Sequence, residues 1–219
     1  MYIFRSALGL LAFCLMCFLQ AHAQEGPWKL QVGVEAMATA NYNLKWQRFI
    51  CREGCPITHQ QALLAPGGSL GLSRRIGPRH ALYTSMGYST ISFNEERDFS
   101  IGGGGLITEK KTYSFLNLAL GSRLDLLYWG SRTLVMSHGL LAEHTLRDDD
   151  GDLKNTNLSY VAKLGLDLRL GIRSGLAIQA VFRTAITEYQ LPTKSLSAFE
   201  LGNFRPIGGG VEVVFATAL

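Results

Sequence analysis

The sequence predicts an all-β chain, a single antiparallel up-and-down transmembrane β-barrel of about eight strands. Three observations carry that expectation. Side chains alternate apolar and polar with a period of two along most of the chain, connections alternate between short and long, and nothing beyond residue 23 is apolar for long enough to be a transmembrane helix.

The N-terminal stretch reads as an export signal. Arg5 precedes an unbroken apolar run, residues 7–19, and Ala21-His22-Ala23 offers a small-x-small cleavage site before Gln24. The run is short for a bilayer span but right for a signal peptide. Residues 1–23 are therefore expected to be removed, leaving residues 24–219 as one barrel domain. Cys14 and Cys17 lack the preceding small residues of a lipoprotein processing site, so no lipid anchor is expected.

Strand signals then follow in order. Near 28–39, Trp28, Leu30, Val32, Val34, Ala36 and Ala38 oppose Lys29, Gln31, Gly33 and Glu35. Around 68–76, Leu70, Leu72 and Ile76 oppose Ser69, Gly71, Ser73 and Arg75, with Arg74 an intruder on the apolar face. In 81–93 the apolar face changes after Tyr88. In 112–126, Leu116, Leu118, Leu120, Leu124 and Leu126 oppose Asn117, Ala119, Gly121, Arg123 and Asp125. In 133–146, Leu134, Met136, Leu140 and Ala142 oppose Ser137, Gly139 and Glu143. The clearest case is 158–172, where Leu164, Leu166, Leu168 and Leu170 oppose Lys163, Gly165, Asp167 and Arg169; a helix would scatter those charges through its apolar stripe. Leu176, Ile178, Ala180 and Phe182 oppose Gln179 and Arg183 in 176–187, and Val211, Val213 and Phe215 oppose Gly208, Gly210 and Glu212 in 206–215.

Short turns are expected at 77–80, 129–132 and 173–175, where Gly, Pro and Ser supply turn chemistry. Long loops are expected at about 40–67, 94–111, 147–157 and 188–205. Tight turns at one end and long loops at the other are the asymmetry of a membrane barrel, and an even strand count leaves both termini at the turn end.

Face chemistry indicates which side is wet. The apolar faces are long and leucine-rich. The opposite faces mix small residues with Lys29, Arg75, Arg123, Lys163, Arg169 and Arg183 against Glu35, Asp125, Glu143, Asp167 and Glu212. Nearly balanced signs on one face predict an interior ladder of ion pairs, because an unpaired buried charge costs several kcal/mol. Trp28, Tyr128, Trp129 and Phe215 fall at turn-side strand ends, and Tyr113, Tyr160 and Tyr189 near loop-side ends, as two headgroup belts require.

On these features the chain resembles the small outer-membrane β-barrel family, also described as porin-like. The resemblance covers residues 24–219 and rests on phrases such as TYSFLNLALGSRLDLLY (112–128), LSYVAKLGLDLRLGI (158–172) and the closing GGGVEVVF (208–215). It implies residence in the bacterial outer membrane, contact with outer-membrane lipid, and recognition of the last strand by barrel-assembly machinery. Ala216-Thr217-Ala218-Leu219 after Phe215 departs from the aromatic ending such strands commonly have.

Other chemistry is sparse. Cys51 and Cys55 in CREGC permit a disulfide in an exported protein, with two free thiols as the alternative. A CxxxC pair is weak evidence for zinc, so no metal is expected. Glycines 102–105 lack the following Gly-Lys-Ser/Thr of a phosphate loop, and Asp148, Asp149, Asp150 and Asp152 do not match the calcium-loop spacing. Ser137 and Glu143 share the interior face while His138 points outward, so they form no proton relay on one strand. The net charge of +4 is dispersed, which argues against nucleic acid as a partner. No cofactor is expected. The expected role is a non-enzymatic barrel with surface loops, chiefly 40–67 with Tyr42, Trp46 and Phe49, acting structurally, in adhesion or on a partner. A narrow channel or small-ligand carrier is the alternative, and a lipid-modifying enzyme a further one.

Overall fold

The computed structural model describes residues 28–41, 57–98, 106–148, 155–187 and 205–219. Its strands are β1 (Trp28–Asn41), β2 (Ile57–Arg75), β3 (His80–Asp98), β4 (Leu106–Trp129), β5 (Arg132–Asp148), β6 (Thr156–Arg169), β7 (Ser174–Ala185) and β8 (Pro206–Ala218). Each pairs antiparallel with its sequence neighbour, and β8 closes on β1 to complete the barrel. Residues 1–27, with the expected signal peptide, lie outside the described residues.

Register fixes the shape. Pairing runs from Lys29 through Ser73, Tyr83, Gly121, Gly139, Val161, Arg183 and Gly208, and returns to β1 at Thr39 instead of Lys29. That stagger tilts the strands by roughly 35–45° and leaves an interior just wide enough for side chains. All these residues point inward.

The faces separate as a transmembrane barrel requires. Val34, Leu70, Met86, Leu120, Leu140, Leu164, Ile178 and Val211 are exposed on the outer wall. Asn117, Asp125, Ser137, Glu143, Gln179, Arg183 and Glu212 are buried inside. A water-soluble barrel has the reverse arrangement. Arg74, the polar intruder on the outer face, is buried with its guanidinium 5.3 Å from the centre of the Trp28 ring, a cation–π contact at the turn-side rim.

The turns match the sequence chemistry. The β4–β5 connection is two residues, with Gly130 at φ 62° in its first position. A type II′ hairpin needs that positive φ, which glycine adopts without a Cβ clash. The β2–β3 and β6–β7 turns are closed by the amides of Ile76 and Leu170, which donate to the carbonyls of His80 and Ser174 at 2.9 and 3.1 Å.

The strands reach further toward the loops than alternation indicated. β2 begins at Ile57, inside the expected loop 40–67. Pro66 explains why it read as loop: proline has no amide to give the ladder, and the β2–β3 register shifts between Leu63 and Gly67. The Thr90 hydroxyl donates to the Pro66 carbonyl at 2.8 Å within that bulge. β3 runs to Asp98 and β4 starts at Leu106, shortening the expected loop 94–111. A tilted strand needs about 9–11 residues to cross a bilayer. β7 has 12 and β8 13, whereas β2 and β3 have 19 and β4 has 24. The β2–β4 wall therefore stands well above the membrane on the loop side.

Candidate functional site: the barrel lumen

Because successive side chains alternate across a strand, every second residue of each strand delivers its side chain to the lumen. The lumen is layered along the barrel axis. At the turn-side mouth, Arg75 Nη2 bonds Asp125 Oδ2 at 2.6 Å. Arg123 reaches Asp125 Oδ1 at 3.1 Å through Nε and Asp167 Oδ2 at 2.5 Å through Nη2. The Tyr128 hydroxyl adds a 3.0 Å bond to Asp125. One layer up, Lys163 Nζ bonds Glu212 Oε2 at 2.7 Å.

Met37, Leu141, Val161 and Val181 form an apolar layer above, with Ala119 against it. Beyond it, Arg183 Nη2 pairs with Glu143, which is fully buried and also accepts a 2.6 Å bond from the Ser159 hydroxyl. Arg183 Nη1 also donates to Ser89 Oγ at 3.3 Å, and Asn117 Nδ2 donates to the same oxygen at 2.8 Å. The loop-side end holds Ile91, Phe93, Tyr113 and Phe115, with the Phe93 and Tyr113 rings 5.7 Å apart and tilted by 51°. This cluster accounts for the face change seen in 81–93. β3 keeps one register against β4 throughout, and the lumen itself turns apolar there.

Eight of the eleven charged residues singled out in the sequence thus meet in pairs: Arg75, Arg123, Asp125, Asp167, Lys163, Glu212, Arg183 and Glu143. Lys29 and Glu35 face the lumen without an ion pair among the described residues, and Arg169 is exposed at the turn-side rim. Glu35 lies over Gly67, its cross-strand partner, where an added Cβ would sit 2.5 Å from Oε1. Glycine is needed there for that close approach. Gly121 makes similar room for Tyr83, its partner on β3, since a Cβ would lie 2.6 Å from the phenol oxygen. Which charge meets which depended on register, which composition and spacing do not reveal.

Among the described residues, the lumen holds a cavity of about 50 Å³ beside Gln31, Arg123 and Asp167 and another of about 50 Å³ beside Glu35, Asn117 and Arg183. Each has room for a few waters, given roughly 10–15 Å³ per water. Ser137 is buried in the lumen and Glu143 is engaged as above, while His138 Nε2 bonds Ser122 Oγ at 3.0 Å on the outer wall. Ser122 and His138 are cross-strand partners, so this pairing too needed register to be seen. No carboxylate bonds the His138 ring among the described residues. Cys51, Cys55, Tyr42, Trp46, Phe49 and glycines 102–105 lie outside the described residues, as do Asp149, Asp150 and Asp152.

The barrel has the fold of the small outer-membrane β-barrels. The crystal structure of the Neisserial surface protein A matches with a TM-score of 0.54 at 10% identity, covering 89% of this chain and 100% of that one. The outer membrane protein OprG from Pseudomonas aeruginosa matches with a TM-score of 0.52 at 9% identity, covering 90% of this chain and 97% of that one. No protein-family model and no curated sequence matches the chain.

Proposed function

We propose that the chain is exported to the bacterial outer membrane and serves there as a non-conducting, non-enzymatic barrel that presents its loop-side rim to a partner outside the cell. Outer-membrane lipid surrounds the wall, and barrel-assembly machinery is its partner during insertion. The observation that supports this reading is the filled lumen. The buried Arg183–Glu143 pair and the Ile91, Phe93, Tyr113 and Phe115 cluster occupy the loop-side half, and the Arg123–Asp167 and Lys163–Glu212 pairs cross the turn-side half. A lumen packed in this way leaves the tall β2–β4 wall and the loops beside it as the working surface.

The test is conductance. Purified full-length protein inserted into planar bilayers is expected to give no stable current steps. Resolved unitary steps in inserted, heat-modifiable protein would overturn the reading in favour of a narrow channel.

A further inference from the structure

The turn-side rim carries a ring of positive charge that enters no ion pair among the described residues. Arg79, His80, Arg132, Arg169 and Arg173 are all exposed there, and none makes a salt bridge among the described residues. The nearby acids, Asp125 and Asp167, point into the lumen and are held by Arg75 and Arg123. The ring is spread over all three turns, β2–β3, β4–β5 and β6–β7, so it surrounds the barrel and does not form a patch on one side.

Its height is that of the aromatic belt. Arg132 is the cross-strand partner of Trp129, and Tyr128 and Trp129 are exposed beside it. The β6–β7 turn places Ile172, fully exposed, between Arg169 and Arg173, with Leu170 exposed next to it. Apolar side chains set among guanidiniums need a surroundings that is apolar and anionic within a few ångströms, which is the headgroup zone of a bilayer. Every permanently charged member of the ring is an arginine, whose planar fork matches phosphate oxygens in two-point contacts.

We propose that this rim binds the phosphates of anionic phospholipids in the leaflet at the turn end, and so anchors the barrel at a fixed depth. The inference rests on the membrane-spanning reading, and insertion is monitored separately by heat-modifiable migration. The full-length chain is reconstituted in vesicles of equal parts phosphatidylcholine and phosphatidylglycerol, and co-retained lipids are counted by native mass spectrometry. Each basic residue near an anionic surface strengthens binding by about fivefold, so phosphatidylglycerol should be retained several-fold over phosphatidylcholine.

The R79Q/R132Q/R169Q/R173Q variant should insert normally and retain the two lipids equally, and the milder R132Q/R173Q variant should fall between. A K110Q/K111Q control on the loop side should leave the preference unchanged. High salt should weaken the wild-type preference, because the rim is exposed to solvent ions. Equal retention by the inserted wild type overturns the proposal and turns the rim toward an acidic macromolecule. A preference that survives in the quadruple variant, or is lost in the loop-side control, overturns it as well.

Discussion

The turn-side half of the lumen is filled by charges, and the loop-side end by aromatic rings. Both fill the narrow lumen, yet their tolerances differ. The aromatic end depends on shape: Phe115 is fully buried, and whatever is removed leaves a void. The ionic layers depend on pairing, since removing one member strands the other in a site that water reaches poorly. Between them sits Arg183–Glu143, an ion pair set directly beneath the aromatic cluster. Depth, more than chemistry, should therefore set what each contact is worth.

The largest effects should come at the buried end. Phe115→Ala is expected to destabilise the barrel by about 3–5 kcal/mol, read from urea unfolding of the heat-modifiable form. It should nonetheless leave planar bilayers silent, because the charged layers beneath still cross the lumen; current steps in this variant would instead make the aromatic cluster the seal. Glu143→Leu is expected to cost a similar amount, about 3–5 kcal/mol, because the Arg183 guanidinium then lies buried and uncompensated. Adding Arg183→Met should recover most of that loss. A double variant no more stable than the single one would mean that Ser89 and Asn117 hold the site together without the ion pair.

The same contrast between polar and apolar lumen decides where the strand faces show in the sequence. Alternation exposed the faces wherever the lumen is polar and the wall leucine-rich, as in residues 158–170 against Lys163, Asp167 and Arg169. It became ambiguous at Ile91 and Phe93, since an apolar lumen and a lipid-facing wall use the same residues. The start of β2 was hidden by Pro66 and the polar residues before it, because a strand standing above the bilayer has no apolar face to announce it. The charged residues could be named individually, but their partners lie on other strands: Arg183 on β7 meets Glu143 on β5, and Lys163 on β6 meets Glu212 on β8. The same reason concealed Ser122 as the neighbour of His138.

An intermediate effect is expected where a glycine seats a charge. Gly67→Ala would drive a Cβ into the Glu35 carboxylate and should cost about 1–3 kcal/mol by overpacking. The three atoms nearest that Cβ all belong to the Glu35 side chain, so Glu35→Ala in the same chain should relieve the clash. A double variant as unstable as Gly67→Ala alone would show that the backbone of β2, and not the carboxylate, limits the site.

The smallest effect belongs to the mouth. Arg75 bonds Asp125 at 2.6 Å, slightly shorter than the 2.7 Å from Lys163 to Glu212 deeper in the lumen, yet its side chain is 50% exposed. Asp125 would also keep Arg123 at 3.1 Å and the Tyr128 hydroxyl at 3.0 Å without it. Arg75→Gln is therefore expected to cost no more than about 1 kcal/mol, since a solvated pair gains little over its hydrated ions. Raising the salt concentration should shrink even that difference, while the cost of Glu143→Leu should barely respond, because buried charges are screened far less. If Arg75→Gln proved as damaging as Glu143→Leu, the turn-side mouth would have to be as dry as the layer beneath the aromatic cluster, and depth would no longer rank these contacts.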